Sequence, residues 1–138
     1  MSQSAWIPGR PKAKDRPRIG NGHAYTPSKT TEYERRVAEA TEHIRVGGDA
    51  VCLTVTFYFG IPKSWSKSKR EKAHGRPHTS VPDIDNILKS VMDGMSQCWW
   101  DDRQVYSVVG MKIYGTMEGT MVEVETFNEF LKRMGEQV

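Results

Sequence analysis

The chain has 138 residues, 37% hydrophobic and 27% charged, the size and balance of one globular domain able to bury a single core without disulfide help. No apolar run approaches a bilayer span, and the N-terminus MSQSAWIPGR has no apolar signal segment, so a cytoplasmic protein with no membrane partner is expected. The net charge of +3 conceals an asymmetry: residues 1–82 hold 15 Lys/Arg against 7 Asp/Glu, a balance of +8, and residues 83–138 hold 5 against 10, a balance of −5. A basic half beside an acidic cluster suits a polyanion held against a metal site, although two halves that merely neutralise each other give the same split.

Taken in chain order, PGRPKAKDRPRIGNG (residues 8–22) is rich in Pro, Gly and basic residues and reads as loop between short extended pieces. A helix is expected from Ser28 to about Arg45, with Tyr33, Val37, Ala40 and Ile44 on one face, Thr31 and Glu34 at capping-box spacing, and Gly47-Gly48 as the stop. AVCLTVTFYF then alternates, placing Val51, Leu53, Val55, Phe57 and Phe59 on one face of a strand. Residues 60–82 break all periodicity and read as a long basic loop, with Lys63, Lys67, Lys69, Arg70, Lys72 and Arg76 against Glu71 alone. A second helix is expected from about Ile84 to Gln97, burying Ile84, Ile87 or Leu88, Val91 and Met95. Two strands follow, QVYSVVGMKIYG and TMVEVETFN, joined by a turn at Met117–Gly119, and then a short amphipathic tail through Phe130 and Leu131. The order β-α-β-α-β-β predicts a single α+β domain over residues 1–138: a small mixed, mostly antiparallel sheet with two main helices packed on it.

Five aspartates (Asp83, Asp85, Asp93, Asp101, Asp102) crowd into 20 residues around Lys89 and two tryptophans. Asp83 and Asp85 flank Ile84 where extended chain enters a helix, so both carboxylates can reach one point in space. Lys89 follows Asp85 by one turn and Asp93 continues that face. Asp101 and Asp102 open a strand whose start can approach the pair. Three carboxylates without His or Cys form a hard, all-oxygen site of the kind that holds Mg²⁺ or Mn²⁺, keeps several waters and takes substrate phosphate as further ligands. A lysine beside it would offset the charge that builds on phosphorus during phosphoryl transfer. The structural alternative has Asp83 capping a helix, Asp85 pairing with Lys89, and Asp101-Asp102 making a turn.

The pattern Asp83-Ile84-Asp85-Asn86, Lys89, Asp93, then Trp100-Asp101-Asp102-Arg103-Gln104-Val105 resembles the RusA family of Holliday junction resolvases of bacteria and their phages. PKAKDRPR, a following Tyr-Thr and the helix containing YERRV are similar to that family too. The resemblance implies metal-binding carboxylates at Asp83, Asp85 and Asp102, an essential lysine at Lys89, Mg²⁺ as cofactor, and a small subunit forming an intertwined homodimer on branched, four-way DNA. It implies no small-molecule cofactor. Lys12, Lys14, Arg16 and Arg18, with Lys63, Lys67, Lys69, Arg70, Lys72 and Arg76, would then be phosphate contacts. A non-catalytic junction-binding protein, or a less selective flap or single-strand nuclease, are the alternatives. Trp99 and Trp100 are expected as core residues fixing the aspartate turn, with stacking on unpaired bases as the other reading. His74 and His78 are expected at the surface, and Cys52 and Cys98 as reduced core thiols.

Overall fold

The computed structural model describes residues 2–14, 18–20, 22–25 and 28–136. In chain order the elements are β1 (Gln3–Pro8), β2 (Arg18–Gly20), β3 (His23–Tyr25), α1 (Ser28–Ala40), β4 (Val51–Gly60), α2 (Lys67–Ala73), α3 (Ile84–Gly94), β5 (Val105–Gly115), β6 (Gly119–Thr126) and α4 (Phe127–Glu136). Short 3-10 turns at Ser96–Cys98 and Asp102–Gln104 join α3 to β5. Four strands form the main sheet in the order β1-β6-β4-β5, and β2 pairs with β3 as a separate antiparallel ribbon. The contacts β1–β6 and β6–β4 are antiparallel, and β4–β5 is parallel. The fold is thus α+β with a mixed, mostly antiparallel sheet, as expected.

Strict alternation makes β4 the spine of the core. Val51, Leu53, Val55, Phe57 and Phe59 are all 0% exposed, and each such side chain contributes about 1.5–3 kcal/mol by leaving water. Val122 and Val124 of β6 lie opposite Val55 and Leu53. Tyr33 and Val37 of α1, with Ile87, Val91 and Met95 nearby in sequence to or within α3, close the layer from above. The Tyr33 hydroxyl is satisfied by the Thr120 hydroxyl at 3.1 Å.

The two helices approach closely at Gly94. A β-carbon there would lie 2.7 Å from Val37 and 2.9 Å from the Glu34 carbonyl oxygen. Gly94→Ala should therefore cost about 1–3 kcal/mol, the usual penalty of overpacking, read as a lower denaturation midpoint with an unchanged slope.

Several expectations need correction. α1 ends at Ala40, although Ile44 and Val46 remain buried beyond it. Thr31 lies inside the helix, its side chain outside the described residues, and Glu34 instead accepts from the Lys14 ammonium. α3 stops at Gly94, and Ile84 is 37% exposed.

Residues 60–82 are not loop throughout. Ser66 caps α2 by accepting from the Lys69 N–H at 3.2 Å. Residues 75–78 then run beside β5, with the Gly75 N–H donating to Tyr114 and the His78 N–H to Lys112, both at 3.0 Å. α2 buries no residue, so no apolar period could announce it. Trp65 anchors it, edge-on to Tyr114 with the Lys69 ammonium 4.0 Å above its ring.

Trp99 is buried as expected, whereas Trp100 is 81% exposed and lies over Gly48. His78 is buried rather than superficial. Cys52 and Cys98 are free thiols, and burial pushes the Cys98 thiol upward. Among the described residues no helix is long and apolar enough to cross a membrane.

Candidate active site

The chain enters α3 through a fixed segment. The Lys112 ammonium reaches out from β5 and donates to the carbonyl oxygens of Ser80, at 2.6 Å, and Pro82. Asp83 then occupies the N-cap position in extended conformation (φ −67°, ψ 143°), but its side chain caps nothing. Its backbone carbonyl accepts from the Asn86 and Ile87 N–H groups, both at 3.2 Å. Asp85 sits in the first turn, where the helix dipole favours a carboxylate.

Asp83, Asp85 and Lys89 are all exposed, and none has a hydrogen-bond or ion-pair partner among the described residues. The Asp85–Lys89 pair of the structural alternative is not made, and neither is an Asp83 side-chain cap. The two carboxylates line an open cleft of about 530 Å³ with His78, Gly110, Met111 and Lys112. Gly110 lets α3 lie close here: a β-carbon would come within 3.0 Å of Leu88 and 3.3 Å of Ile84, and the ends of those side chains would have to give by a few tenths of an ångström.

The second half of the motif is built differently. Asp101 accepts from the Arg103 backbone N–H at 2.8 Å and from its guanidinium at 3.1 and 2.9 Å. Those bonds from Arg103 hold the Asp101 carboxyl down at about 2. Gln104 closes a capping box by accepting from the Asp101 N–H, and its amide donates to the Gly47 and Asp49 carbonyls at 2.7 and 2.9 Å. Asp101 and Gln104 therefore fasten this turn to the loop before β4. Asp102 is left exposed, with one contact from the Trp99 indole N–H at 3.3 Å.

The structure brings Asp83 and Asp85 together and does not bring Asp102 to them within one chain. Asp83 precedes α3 and Asp102 follows it, and 11 helical residues separate the two ends by about 16 Å. Among the described residues no three His, Cys, Asp or Glu side chains converge well enough to hold a metal. Asp93 points elsewhere, pairing at 3.2 Å with Lys14, whose ammonium Glu34 and Asp93 keep charged to higher pH.

The basic residues separate into groups. Lys63, Lys67 and Arg70 line a second cavity of about 820 Å³, while Lys69 is committed to Trp65. Lys72 and Arg76 are exposed and Lys12 is half-buried. Arg16 lies outside the described residues, and only the backbone of Arg18, in β2, is described. Lys14 is held inside the fold by its two carboxylates, so it is not presented to a phosphate.

The family profile described as "Endodeoxyribonuclease RusA" matches residues 8–125. The chain belongs to the RusA family. It is also 35% identical over 129 residues to "Uncharacterized protein YqaN" of Bacillus subtilis (strain 168), covering 84% of this chain and 89% of that protein. RusA proteins are endodeoxyribonucleases of the Holliday junction resolvase type, hydrolases of the DNA phosphodiester bond that generally depend on a divalent metal. The matched interval holds Asp83, Asp85, Lys89, Asp102 and α2, and ends before α4.

His78 lines the cleft of Asp83 and Asp85, although the sequence places it at the surface. It is 7% exposed, stacked on Phe59 at 4.0 Å and 13°, and its buried Nδ1 has no partner among the described residues. A histidine between Pro77 and Thr79 carries no local sign of burial; tertiary packing along β5 imposes it. Burial foremost, then the charges of Lys112 and Arg10, depresses its pKa. The unfolded chain thus binds a proton that the folded chain resists. Stability is fully present above the unfolded value of about 6.5 and is lost as pH falls through the lower folded value. His78→Phe, which keeps a ring on Phe59, should lose less melting temperature between pH 7.5 and pH 5 (roughly either side of that value) than the native chain does.

Proposed function

We propose that the protein is a divalent-metal-dependent endonuclease that resolves four-way (Holliday) DNA junctions in recombination and repair, acting as a homodimer. The observation that carries this reading is the Asp83/Asp85 pair, two exposed carboxylates in an open cleft one helical turn from Lys89, none of the three side chains having a partner among the described residues.

The donor set fits a hard cation. Asp83 and Asp85 offer only oxygen, and Mg²⁺ needs few protein carboxylates because water and phosphate complete its shell; Mn²⁺ would substitute. When bound, the metal would activate water and offset charge on the phosphate oxygens. Lys89 adds a fixed positive charge toward the scissile phosphate. Lys112 holds the Ser80–Pro82 carbonyls and so fixes the direction in which Asp83 leaves the loop.

A second copy of the chain would supply the third carboxylate. β5 is an edge strand, and the stretch not covered by residues 75–78 exposes Tyr106, Val108, Val109 and Met111. An exposed apolar edge of this length is open to strand pairing. Antiparallel pairing of two β5 strands about a twofold axis sets the start of one strand beside the later part of the other. Asp102 of the second copy would thereby move toward Asp83 and Asp85 of the first. Tyr106 also stands edge-on to Phe127 of α4, extending the apolar strip.

The test is incubation with a synthetic four-way junction, a flap and a linear duplex, with Mg²⁺ or with EDTA. Paired nicks in the junction, absent in EDTA and much slower on duplex, are expected. Cleavage indifferent to EDTA would remove the metal from the mechanism. Equal rates on flap and junction would favour a less selective nuclease, and binding without cutting under any divalent ion a non-catalytic binder.

A further inference from the structure

Two adjoining cavities that the cutting site does not use lie beside the segment 60–78, which walls most of the first and only an edge of the second. The larger, about 820 Å³, has Lys63, Lys67 and Arg70 on its wall, and none of the three side chains has an ion-pair or hydrogen-bond partner among the described residues. Of its two acids, Glu118 is already occupied, accepting from Arg10 at 2.9 Å and from the Gly60 N–H at 3.2 Å. The wall therefore keeps a surplus of positive charge. The smaller cavity, about 290 Å³, shares His74, Gly115 and Thr116 with the first. Its lining is of another kind: Trp6 and Tyr58, their rings 5.8 Å apart, with Ile113, Met117 and Met121. Both volumes are close to the ~300–1,000 Å³ of ligand pockets.

Three free cations beside an aromatic, thioether-lined recess match the two ends of a nucleotide, an anionic phosphate and a flat base. We propose that this double cavity binds one unpaired nucleotide of the DNA strand, its phosphate on Lys63, Lys67 and Arg70 and its base against Trp6 and Tyr58. The idea rests on the endonuclease reading for its ligand class. The cleft of Asp83 and Asp85 meets β5 at Gly110–Lys112, and the double cavity meets it at Ile113–Gly115. At ~3.3 Å per residue the two are about 3–17 Å apart along β5, the equivalent of about one to five nucleotides of a stacked strand at 3.4 Å each. Tyr58 and Ile113 face the side of the sheet away from α3, so the strand would pass over the β5 edge to join them. An unpaired base that close to the cut occurs at branch points and not within intact duplex. The subsite would thus select substrate by the availability of a loose base. Trp65, packed edge-on against Tyr114, holds the α2 wall in place before any DNA arrives.

The experiment uses the full chain in EDTA, so that no cutting occurs, with labelled (dT)8 and an abasic octamer of equal charge as probes. Expected is tighter binding of (dT)8 than of the abasic strand, with quenching of tryptophan emission that is lost in Trp6→Phe. Lys67→Ala/Arg70→Ala, two exposed and unpartnered side chains, should weaken both probes. Tyr58→Leu should weaken (dT)8 alone, by the 5- to 150-fold (roughly) that base stacking contributes. Equal affinity for the two probes, or affinity unmoved by the double substitution, would overturn the proposal. Its failure is separable from failure of the nuclease reading: oligonucleotide binding here with no junction cleavage elsewhere indicts only the latter, and the reverse pattern only the former.

Discussion

Asp83→Asn and Asp102→Asn proteins, each inactive alone, should regain junction nicking when combined. Either substitution removes a carboxylate from the proposed metal site and should lower cleavage by at least ~10²–10³-fold, the scale of losing one preorganised electrostatic contact. The recovery follows from where the residues lie. Asp83 and Asp102 stand at opposite ends of α3, so a complete set would draw Asp83 and Asp85 from one copy and Asp102 from the other. In a mixed dimer one site then carries both substitutions and the other carries neither. Random exchange makes half the dimers mixed, so about a quarter of all sites should be intact. Single-strand nicking is the correct readout, because paired cuts need both sites. Absence of recovery from a verified heterodimer would place the whole site in one chain, or make Asp102 a partner of Trp99 alone.

Lys89→Ala should abolish cleavage, by ~10²-fold or more, while leaving junction affinity and melting temperature nearly unchanged. Lys89 is exposed on α3 and bonds to nothing among the described residues, so its loss removes no contact from the fold. Surface changes of that kind usually lie within ~0.5 kcal/mol. A rate loss at saturating DNA, with affinity intact, marks an interaction made only in the transition state. A large fall in melting temperature would instead reveal a structural role.

What the sequence disclosed follows from where side chains meet water. β4 was legible because every second residue is fully buried, and α1 and α3 because their apolar faces repeat at helical spacing. Asp83, Asp85 and Lys89 could be grouped because they share one element, where spacing dictates geometry. Asp102 joins them only through the family resemblance, because its distance from them within one chain depends on the length of α3 and the direction of β5. α2 escaped notice for want of a buried face, and His78 because its burial is imposed by Phe59, Tyr114 and the strand beside it. Trp100 misled for a related reason: the adjacent Trp99 fills the core, and the next residue in extended chain faces the other way.

The strand order carries a consequence for the life of the chain. β6 follows both β1 and β4 in the chain yet lies between them in the sheet. Until residues 119–126 have left the ribosome, β1 has no partner and β4 lacks one of its two neighbours, so the surface on which α1 and α3 rest is incomplete. Pairings of such long sequence separation also form slowly, since their closure entropy must be met before any contact rewards it. A prematurely terminated product would therefore carry Asp83, Asp85 and Lys89 on a helix without a scaffold. A cell that makes this protein would be spared stray incisions from copies cut short before residue 119, because the power to cut DNA would arise only once β6 was in place.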